Sequence, residues 1–402
     1  MEIPVEVCLS CATTTSKMES DVVDFIHKSM HILFPGAKLL PSPDAHPQLA
    51  SVKHIRVCDT MCPKAGIERE YAIPLPYLFT LFDSTESGGC HGDETPPCGE
   101  EDCGAPFVTT ALPSSKLEGL WESLCLGEKD EVNSELKYSL LSFVHTALLF
   151  ESRRVNPHVI SWNRMILFHG PPGTGKTSIC KALAHKCAIR LRPMFKRAAL
   201  VEINAHSLFS RWFSESGKQV MILFDHLIGM ASDRACLVFV LIDEVESLAA
   251  ARRCAIRGNE PSDAVRVVNA LLTQLDRLKE YSNVVVLATS NITDAIDEAF
   301  IDRADMKIFV GPPGYRARCT ILRETLLELT RANLVKAPAN EDELCTAANQ
   351  LAALSQGYSG RTLRKIPFVG FTLTRSSPPL ELDQYMVLLR EAIEQQRLPS
   401  RD

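Results

Sequence analysis

The chain of 402 residues is long enough for two or three domains, and its hydrophobic content of 46% supports sizeable buried cores. Its net charge of −6 gives no general attraction to nucleic acid or an anionic membrane, so we do not expect direct nucleic-acid binding. The 14 cysteines are irregularly spaced, which favours reduced thiols in cytosol or nucleus over a disulfide framework. The acidic N-terminus does not indicate a secretory signal, and no apolar run reaches membrane-spanning length.

The first part of the chain predicts a small α+β domain over residues 1–104. Strands are predicted over Ile3–Leu9, Val52–Val57 and residues 71–75, with a helix over residues 21–33. From residue 83 to 106 the composition shifts to Gly, Pro, Ser and acidic residues, which cannot bury enough apolar surface to become ordered. We therefore expect a flexible Cys-rich acidic loop at about 83–106.

Cysteine spacing in this domain leaves two interpretations open. Cys8 and Cys11 have the spacing of half a zinc site, and Cys58 with Cys62 could supply the other half. The acidic loop adds further candidate ligands at Cys90, His91, Cys98 and Cys103. Ordinary thiols without a metal are the alternative in both places.

A phosphate-binding loop is predicted between a buried strand at residues 165–168 and a helix at residues 176–188. The stretch satisfies the Walker A pattern, in which glycines allow backbone N–H groups to converge on phosphate oxygens. Lys176 is expected to reach the β and γ phosphates, and Thr177 to offer its hydroxyl to Mg²⁺. The predicted nucleotide-binding residues are Gly170, Pro171, Pro172, Gly173, Thr174, Gly175, Lys176, Thr177 and Ser178.

Strands and helices then alternate, which predicts an α/β fold with a mainly parallel sheet and helices on both faces. The predicted strands lie at 200–204, 237–242, 284–289 and 307–310, and the predicted helices at 216–230 and 262–279. An earlier helix is predicted at 136–150. After the Gly-Pro-Pro-Gly stretch at 311–314 the pattern is mostly helical. We predict a large α/β domain over 105–311 and a small helical domain over 312–402.

Two acids follow the apolar strand at 237–242, at the sheet edge where open parallel sheets bind ligands. In this Walker B segment, Asp243 is expected to hold Mg²⁺ and Glu244 to orient and deprotonate the attacking water. A helix N-cap is the alternative for adjacent acids after a strand. Asn291 closes the next strand and could hydrogen-bond the water or the γ-phosphate, unless it is a simple turn residue.

Together these segments resemble an AAA+ ATPase. The resemblance also includes residues 206–218 and 267–276, and Asn291 followed by Ile296 and Asp297. More narrowly, residues 161–164, 212–218, 301–305 and 359–361 are similar to the pachytene checkpoint protein 2 family, also called thyroid receptor interactor 13. The similarity is continuous over about 112–314 and resumes at 357–368.

The resemblance implies roles for four further residues. Trp212 and Phe213 match the aromatic pore loop that grips a peptide, with an aromatic staple against the next helix as the alternative. Arg303 matches an arginine finger that enters the nucleotide site of a neighbouring subunit. Arg361 matches the sensor-two arginine, with a solvated basic face as the alternative.

The resemblance further implies a homohexamer that uses ATP and Mg²⁺ to unfold part of a HORMA-domain protein, presented by an adaptor protein. It implies action in the spindle checkpoint and on meiotic chromosome axes, in nucleus and cytoplasm and in association with chromosomes, with no membrane partner. The N-terminal domain would recognise substrate and adaptor. Alternative functions are a general unfoldase or filament-severing ATPase, or a non-catalytic nucleotide-dependent scaffold.

Overall fold

The computed structural model describes most of the chain. The described residues are 3–9, 18–29, 32–33, 38–42, 49, 51–57, 71–72, 77–83, 107–125, 130–205, 216–248, 263–292, 296–337, 340–374 and 377–397. The described strands are β1 Ile3–Leu9, β2 Ile32–Leu33, β3 Lys38–Leu39, β4 Val52–Val57, β5 Tyr71–Ala72, β6 Tyr77–Asp83, β7 Phe107–Leu112, β8 Met165–His169, β9 Arg197–Asn204, β10 Cys236–Asp243, β11 Val284–Ser290 and β12 Met306–Phe309. The described helices are α1 Met18–Ser29, α2 Leu120–Ser123, α3 Asp130–Ser152, α4 Lys176–Arg190, α5 Ser216–Ser232, α6 Asp263–Leu278, α7 Glu298–Arg303, α8 Tyr315–Arg331, α9 Glu341–Leu354, α10 Gly360–Thr372 and α11 Leu382–Arg397.

The N-terminal region contains a four-stranded sheet in the order β3-β4-β1-β6. β1 pairs antiparallel with β4 and parallel with β6, and α1 follows β1 in the chain. This arrangement agrees with the α+β prediction. Of the predicted strand at 71–75, β5 covers Tyr71 and Ala72 only, and β6 was not predicted.

The large sheet has six strands in the order β12-β8-β11-β10-β9-β7. The five strands from β8 to β12 pair in parallel, as predicted, whereas β7 adds to the β9 edge antiparallel. In β10, alternate residues enter different cores, because successive side chains point to opposite faces. Val238 and Val240 belong to the core on one face, and Leu237 and Phe239 to the core on the other.

The C-terminal helices α8 to α11 form a third core of their own. Leu351 and Leu363 are fully buried there, and Tyr385 donates its buried hydroxyl proton to the carbonyl of Pro367 inside α10 at 2.7 Å. The prediction of a helical C-terminal region is therefore confirmed. α10 starts against the loop between β8 and α4, so the small core is joined directly to the large sheet.

Most predicted elements agree with the structure to within a few residues. The predicted helix at 136–150 is longer, since α3 covers Asp130–Ser152, and the strand predicted at 307–310 begins one residue earlier in β12. The boundaries 1–104, 105–311 and 312–402 stay predictions, and residues 84–106 of the acidic loop lie outside the described residues. Within the described helices, none is both long and apolar enough to cross a bilayer.

Candidate functional site: a nucleotide-binding edge of the sheet

The phosphate loop leaves the carboxyl end of β8 and leads into α4. Gly170 has a φ of 140°, and a Cβ at this position would lie 2.3 Å from the carbonyl oxygen of Val310. Gly173 has a φ of 76°, and its Cβ would lie 2.8 Å from the hydroxyl of Ser359. Both positions require glycine, because L side chains rarely adopt these angles and no room exists for a Cβ.

Lys176 begins α4 and turns its side chain back over the loop. Its Nζ donates to the carbonyl oxygens of Gly170 and Pro171 at 2.9 and 2.7 Å. Burial lowers the pKa of this lysine, an effect that nearby Glu246 and Asp243 oppose and Arg361 strengthens. The ammonium therefore lies inside the loop, where an anionic ligand would compensate its desolvation.

Asp243 ends β10 and meets Thr177 from the first turn of α4. The hydroxyl of Thr177 donates to the two carboxylate oxygens of Asp243 at 3.1 and 3.2 Å. The hydroxyl of Thr289 in β11 also donates to Asp243. Hydroxyl and carboxylate oxygens are the ligands that Mg²⁺ prefers, so the predicted pair of metal ligands fits such an ion.

Glu244 has a φ of 62°, in the left-handed region that residues other than glycine seldom adopt. Its N–H donates to the hydroxyl of Thr289 at 3.3 Å, and its carbonyl accepts from the hydroxyl of Ser247 at 2.6 Å. Backbone strain of this kind costs about 1–3 kcal/mol and is common at functional sites. The turn fixes the backbone of the predicted general base beside the Walker B aspartate.

Asn291 contacts Glu246, whereas the acids selected from the sequence were Asp243 and Glu244. Its Nδ2 donates to Oε1 of Glu246 at 2.9 Å, while Oε2 of Glu246 is buried without a hydrogen-bond partner among the described residues. Glu246 was missed, although it lies two residues after Glu244 in the same acidic segment. Thr289 was also missed, although it precedes Asn291 at the same strand end.

Arg361 lies in the first turn of α10, where Ser359 caps the helix by accepting from the N–H of Thr362 at 3.2 Å. The N–H of Arg361 donates to the carbonyl oxygen of Gly173 at 3.1 Å. Its side chain is exposed, and its charge reaches Lys176 closely enough to lower the pKa of that lysine. The structure thus brings the predicted sensor residue to the phosphate loop.

Arg303, by contrast, lies beside the amino-terminal ends of the strands, at the edge of the sheet opposite the phosphate loop. It ends α7 just before β12 and lies beside Asn163, Arg164 and Val284, where strands begin. The five residues of β8 separate this edge from the phosphate loop, a span of roughly 16 Å at about 3.3 Å per residue. Arg303 therefore does not reach the nucleotide site of its own chain in this arrangement.

Asp276 of α6 holds Arg303 through a two-pronged ion pair. Nε and Nη2 of the guanidinium donate to the two carboxylate oxygens at 3.0 and 2.6 Å, and Nη1 donates to the carbonyl of Ala299 at 2.8 Å. Burial alone would raise the pKa of Asp276, but hydrogen bonds from Arg303 and Lys279 hold it below its usual value. A fork-to-fork pair of this geometry fixes the direction of the guanidinium.

The stretch at 161–164 that contributed to the family resemblance lies at this same opposite edge. Trp162 packs edge-on against Phe150 with ring centroids 5.7 Å apart. Arg164 is buried and donates to backbone carbonyls, including those of Lys279 and Tyr281 at 2.6 and 3.0 Å. The predicted pore-loop residues, Trp212 and Phe213, lie outside the described residues.

Comparisons with known proteins identify the family that this chain is similar to. The family described as ATPase family associated with various cellular activities (AAA) matches residues 166–312, and the TRIP13-like, AAA+ ATPase lid C-terminal domain matches residues 336–397. The Pachytene checkpoint protein 2 homolog of Oryza sativa subsp. indica is 44% identical over 403 residues, which cover 91% of this chain and 81% of that protein. The Homo sapiens homolog is 46% identical over 301 residues, covering 71% of this chain and 68% of that protein.

Solved structures agree with the sequence comparison. The structure of C. elegans PCH-2 has a TM-score of 0.78 at 30% identity and covers 98% of this chain and 99% of that one. The Trip13-containing complex of E. coli MS115-1 has a TM-score of 0.56 at 19% identity, over 73% of this chain and 95% of that one, which shows the fold alone. The chain therefore belongs to the Pachytene checkpoint protein 2 family and is an AAA+ ATPase.

Proposed function

We propose that this chain is the protomer of a homohexameric ring that hydrolyses Mg-ATP between neighbouring subunits and uses the energy to unfold part of a HORMA-domain protein. The observation that carries the proposal is the separation of the two halves of the site. Lys176, Asp243, Glu244 and Arg361 meet at one edge of the sheet, and Arg303 lies at the other. A head-to-tail ring brings these two edges of adjacent copies together.

Within one half of such a site, each residue has a defined task. Lys176 and the loop N–H groups would bind the β and γ phosphates, while Thr177 and Asp243 would hold Mg²⁺. The ion would neutralise charge on the phosphate oxygens. Glu244 would accept a proton from the attacking water, and Asn291, held by Glu246, would orient that water or the γ-phosphate.

The other half comes from the neighbouring copy. Arg303 would donate to the transferring phosphoryl group across the interface, which requires it to leave or share its pair with Asp276. Arg361 would report the γ-phosphate to the small helical domain, because α10 begins on the phosphate loop. Nucleotide turnover would then move the small domain against the sheet.

Family membership supports the choice of substrate. A structural relative is described as the E. coli MS115-1 HORMA:CdnC:Trip13 complex. We infer a HORMA-domain client here too, recognised with an adaptor protein through residues 1–104. Trp212 and Phe213 would grip the client in the central channel. Such clients would place the protein in nucleus and cytoplasm and on chromosomes, in spindle-checkpoint and meiotic-axis control.

The test is the Glu244→Gln chain, with Glu280→Gln as a matched control at an exposed position after α6. Glu244→Gln should bind ATP and assemble normally while phosphate release stops, because only the base is lost. Affinity capture with this chain in ATP should then retain a HORMA-domain protein. Undiminished phosphate release would overturn the catalytic assignment, and capture of tubulin or ubiquitin-linked proteins would overturn the client.

A further inference from the structure

One face of the N-terminal sheet is polar and turns towards the nucleotide-binding domain. β1 and β4 are antiparallel, and Cys8 lies directly opposite His54 in their register. Directly opposed residues project from the same face, with Cβ atoms about 4.5–5.5 Å apart. Cys8 also packs against Ile189 near the end of α4, so this face contacts the nucleotide-binding domain.

A third donor reaches the same point from that domain. Glu118 follows the helical turn Ser115–Leu117, and its Oε1 lies 3.3 Å from Nδ1 of His54. Ligand atoms of Cys8, His54 and Glu118 all lie within 4.8 Å of one another. Cys8 and His54 are 0% and 1% exposed, so a ligand held here would be shielded from solvent on most sides.

We propose that Cys8, His54 and Glu118 form a binding site for a divalent cation of the zinc class, which joins the N-terminal sheet to the nucleotide-binding domain. Thiolate, imidazole and carboxylate are the three ligand types that zinc takes in proteins. The soft sulfur ligand distinguishes the site from the all-oxygen pair Thr177 and Asp243 at the phosphate loop.

The distances fit a shared ion. Two ligands held about 2.0 Å from one zinc at the tetrahedral angle are about 3.3 Å apart, which equals the separation of His54 Nδ1 and Glu118 Oε1. A zinc-bound sulfur would lie about 3.6 Å from a zinc-bound nitrogen. The ligand atoms of Cys8 and His54 already lie within 4.8 Å of each other. A solvent oxygen can complete four-fold coordination on the side of Glu118, whose side chain is 15% exposed.

Charges around the cluster also fit. A thiolate and a carboxylate together neutralise a divalent ion. Lys53 donates to Oε2 of Glu118 at 3.0 Å, which orients the carboxylate with Oε1 towards His54, as outer partners of metal ligands do.

Cobalt titration of the full chain tests the proposal, because thiolate-bound cobalt gives a charge-transfer band that carboxylates and imidazoles do not. The protein is treated with EDTA under reducing conditions and titrated with Co²⁺, then with Zn²⁺ to displace it. Wild type should bind one more equivalent of thiolate-ligated cobalt than Cys8→Ser. Cys345→Ser, which changes a half-buried thiol in the distant α9, should match wild type. Equal cobalt spectra for wild type and Cys8→Ser would overturn the site.

A second variant keeps the test decisive if Cys8→Ser does not fold. Glu118→Gln preserves the size of the side chain and should weaken zinc binding at least about tenfold. Zinc should raise the thermal unfolding temperature of wild type more than that of Glu118→Gln, and EDTA should reverse the rise. Identical zinc affinity in the two chains would mean that His54 and Glu118 form only a hydrogen bond, which contradicts the proposal. Neither measurement depends on ATP hydrolysis.

Discussion

Two buried lysines on α4 show how one helix serves two different purposes. Lys176, at its first position, donates only to carbonyl oxygens among the described residues. Lys186, ten residues later, donates to carboxylates, to Glu6 at 2.6 Å and to Glu122 at 3.0 Å. The charge of Lys186 is already neutralised and supports the structure, whereas that of Lys176 remains available for phosphate.

At the far end of α4, buried ion pairs connect the helix to the N-terminal sheet. Arg56 of β4 pairs with Glu122 at 3.0 Å, and Arg190 with Glu6 at 3.5 Å. Burial would raise the pKa of Glu122, but Lys186 and Arg56 hold it below its usual value. Because α4 also begins at the phosphate loop, a rigid helix connects that loop to these ion pairs. The difference between the two ends leads to four predictions.

The largest effect is expected at the phosphate end. Lys176→Ala removes the ammonium that would stabilise the β and γ phosphates, so ATP hydrolysis should fall at least about a hundredfold. Nucleotide binding should weaken as well. Lys181→Ala is the matched control on the same helix, because Lys181 pairs with Glu202 at 2.6 Å instead. Fluorescent-nucleotide titration measures the affinity, and phosphate release measures the rate of hydrolysis. Equal losses in the two variants would mean that Lys176 has no special role in binding phosphate.

At the buried ion pairs, substitutions should change the stability of the protein more than the rate of ATP hydrolysis. Lys186→Met removes the nearest partner of the 2% exposed Glu6 and should cost about 3 kcal/mol in the free energy of unfolding. The double variant with Glu6→Gln should recover part of that loss, because the buried carboxylate is gone as well. Denaturant unfolding measures the cycle. Additive losses from the two changes would mean that this pair is not coupled.

A moderate effect is expected where a missed acid supports the site. Glu246→Gln exchanges a charged acceptor of the Asn291 amide for a neutral one, which should lower turnover about fivefold. Nucleotide affinity should rise at the same time, since a negative charge near Lys176 is removed. Steady-state phosphate release and nucleotide titration separate the two changes. Weaker nucleotide binding would contradict this role for Glu246.

The smallest stability change is expected at the half-exposed pair that holds Arg303. Asp276 is 42% exposed, so Asp276→Asn should change the free energy of unfolding by no more than about 1 kcal/mol. Direct comparison with Lys186→Met by denaturant unfolding measures the contrast between an accessible ion pair and a buried one. A loss as large as that of Lys186→Met would show that the Arg303 pair is a structural lock.

Local sequence patterns were sufficient for the phosphate loop and for the parallel strands. The apolar run of β10 and the two acids after it are contiguous, so their chemistry can be predicted without knowing the fold. Contacts between distant segments carry no such signal. Glu6 and Lys186 are 180 residues apart, and nothing near either residue identifies its partner.

The edge strand β7 was harder to predict for a related reason. β7 has an exposed face and pairs with β9 about 90 residues further along the chain, so its short pattern did not stand out as a strand. The position of Arg303 needed the structure too. The sequence suggested a finger, but only the sheet shows that it lies at the edge opposite the phosphate loop.

Action across a subunit interface is tested most directly by mixing two inactive chains. Glu244→Gln has an intact Arg303 but no base, and Arg303→Ala has an intact base but no finger. In randomly mixed rings at equal amounts, about a quarter of the interfaces should combine the intact base of one chain with the intact finger of its neighbour. Phosphate release from the mixture should therefore recover to about a quarter of wild type. A mixture no more active than its two components would contradict a finger supplied by the neighbouring copy.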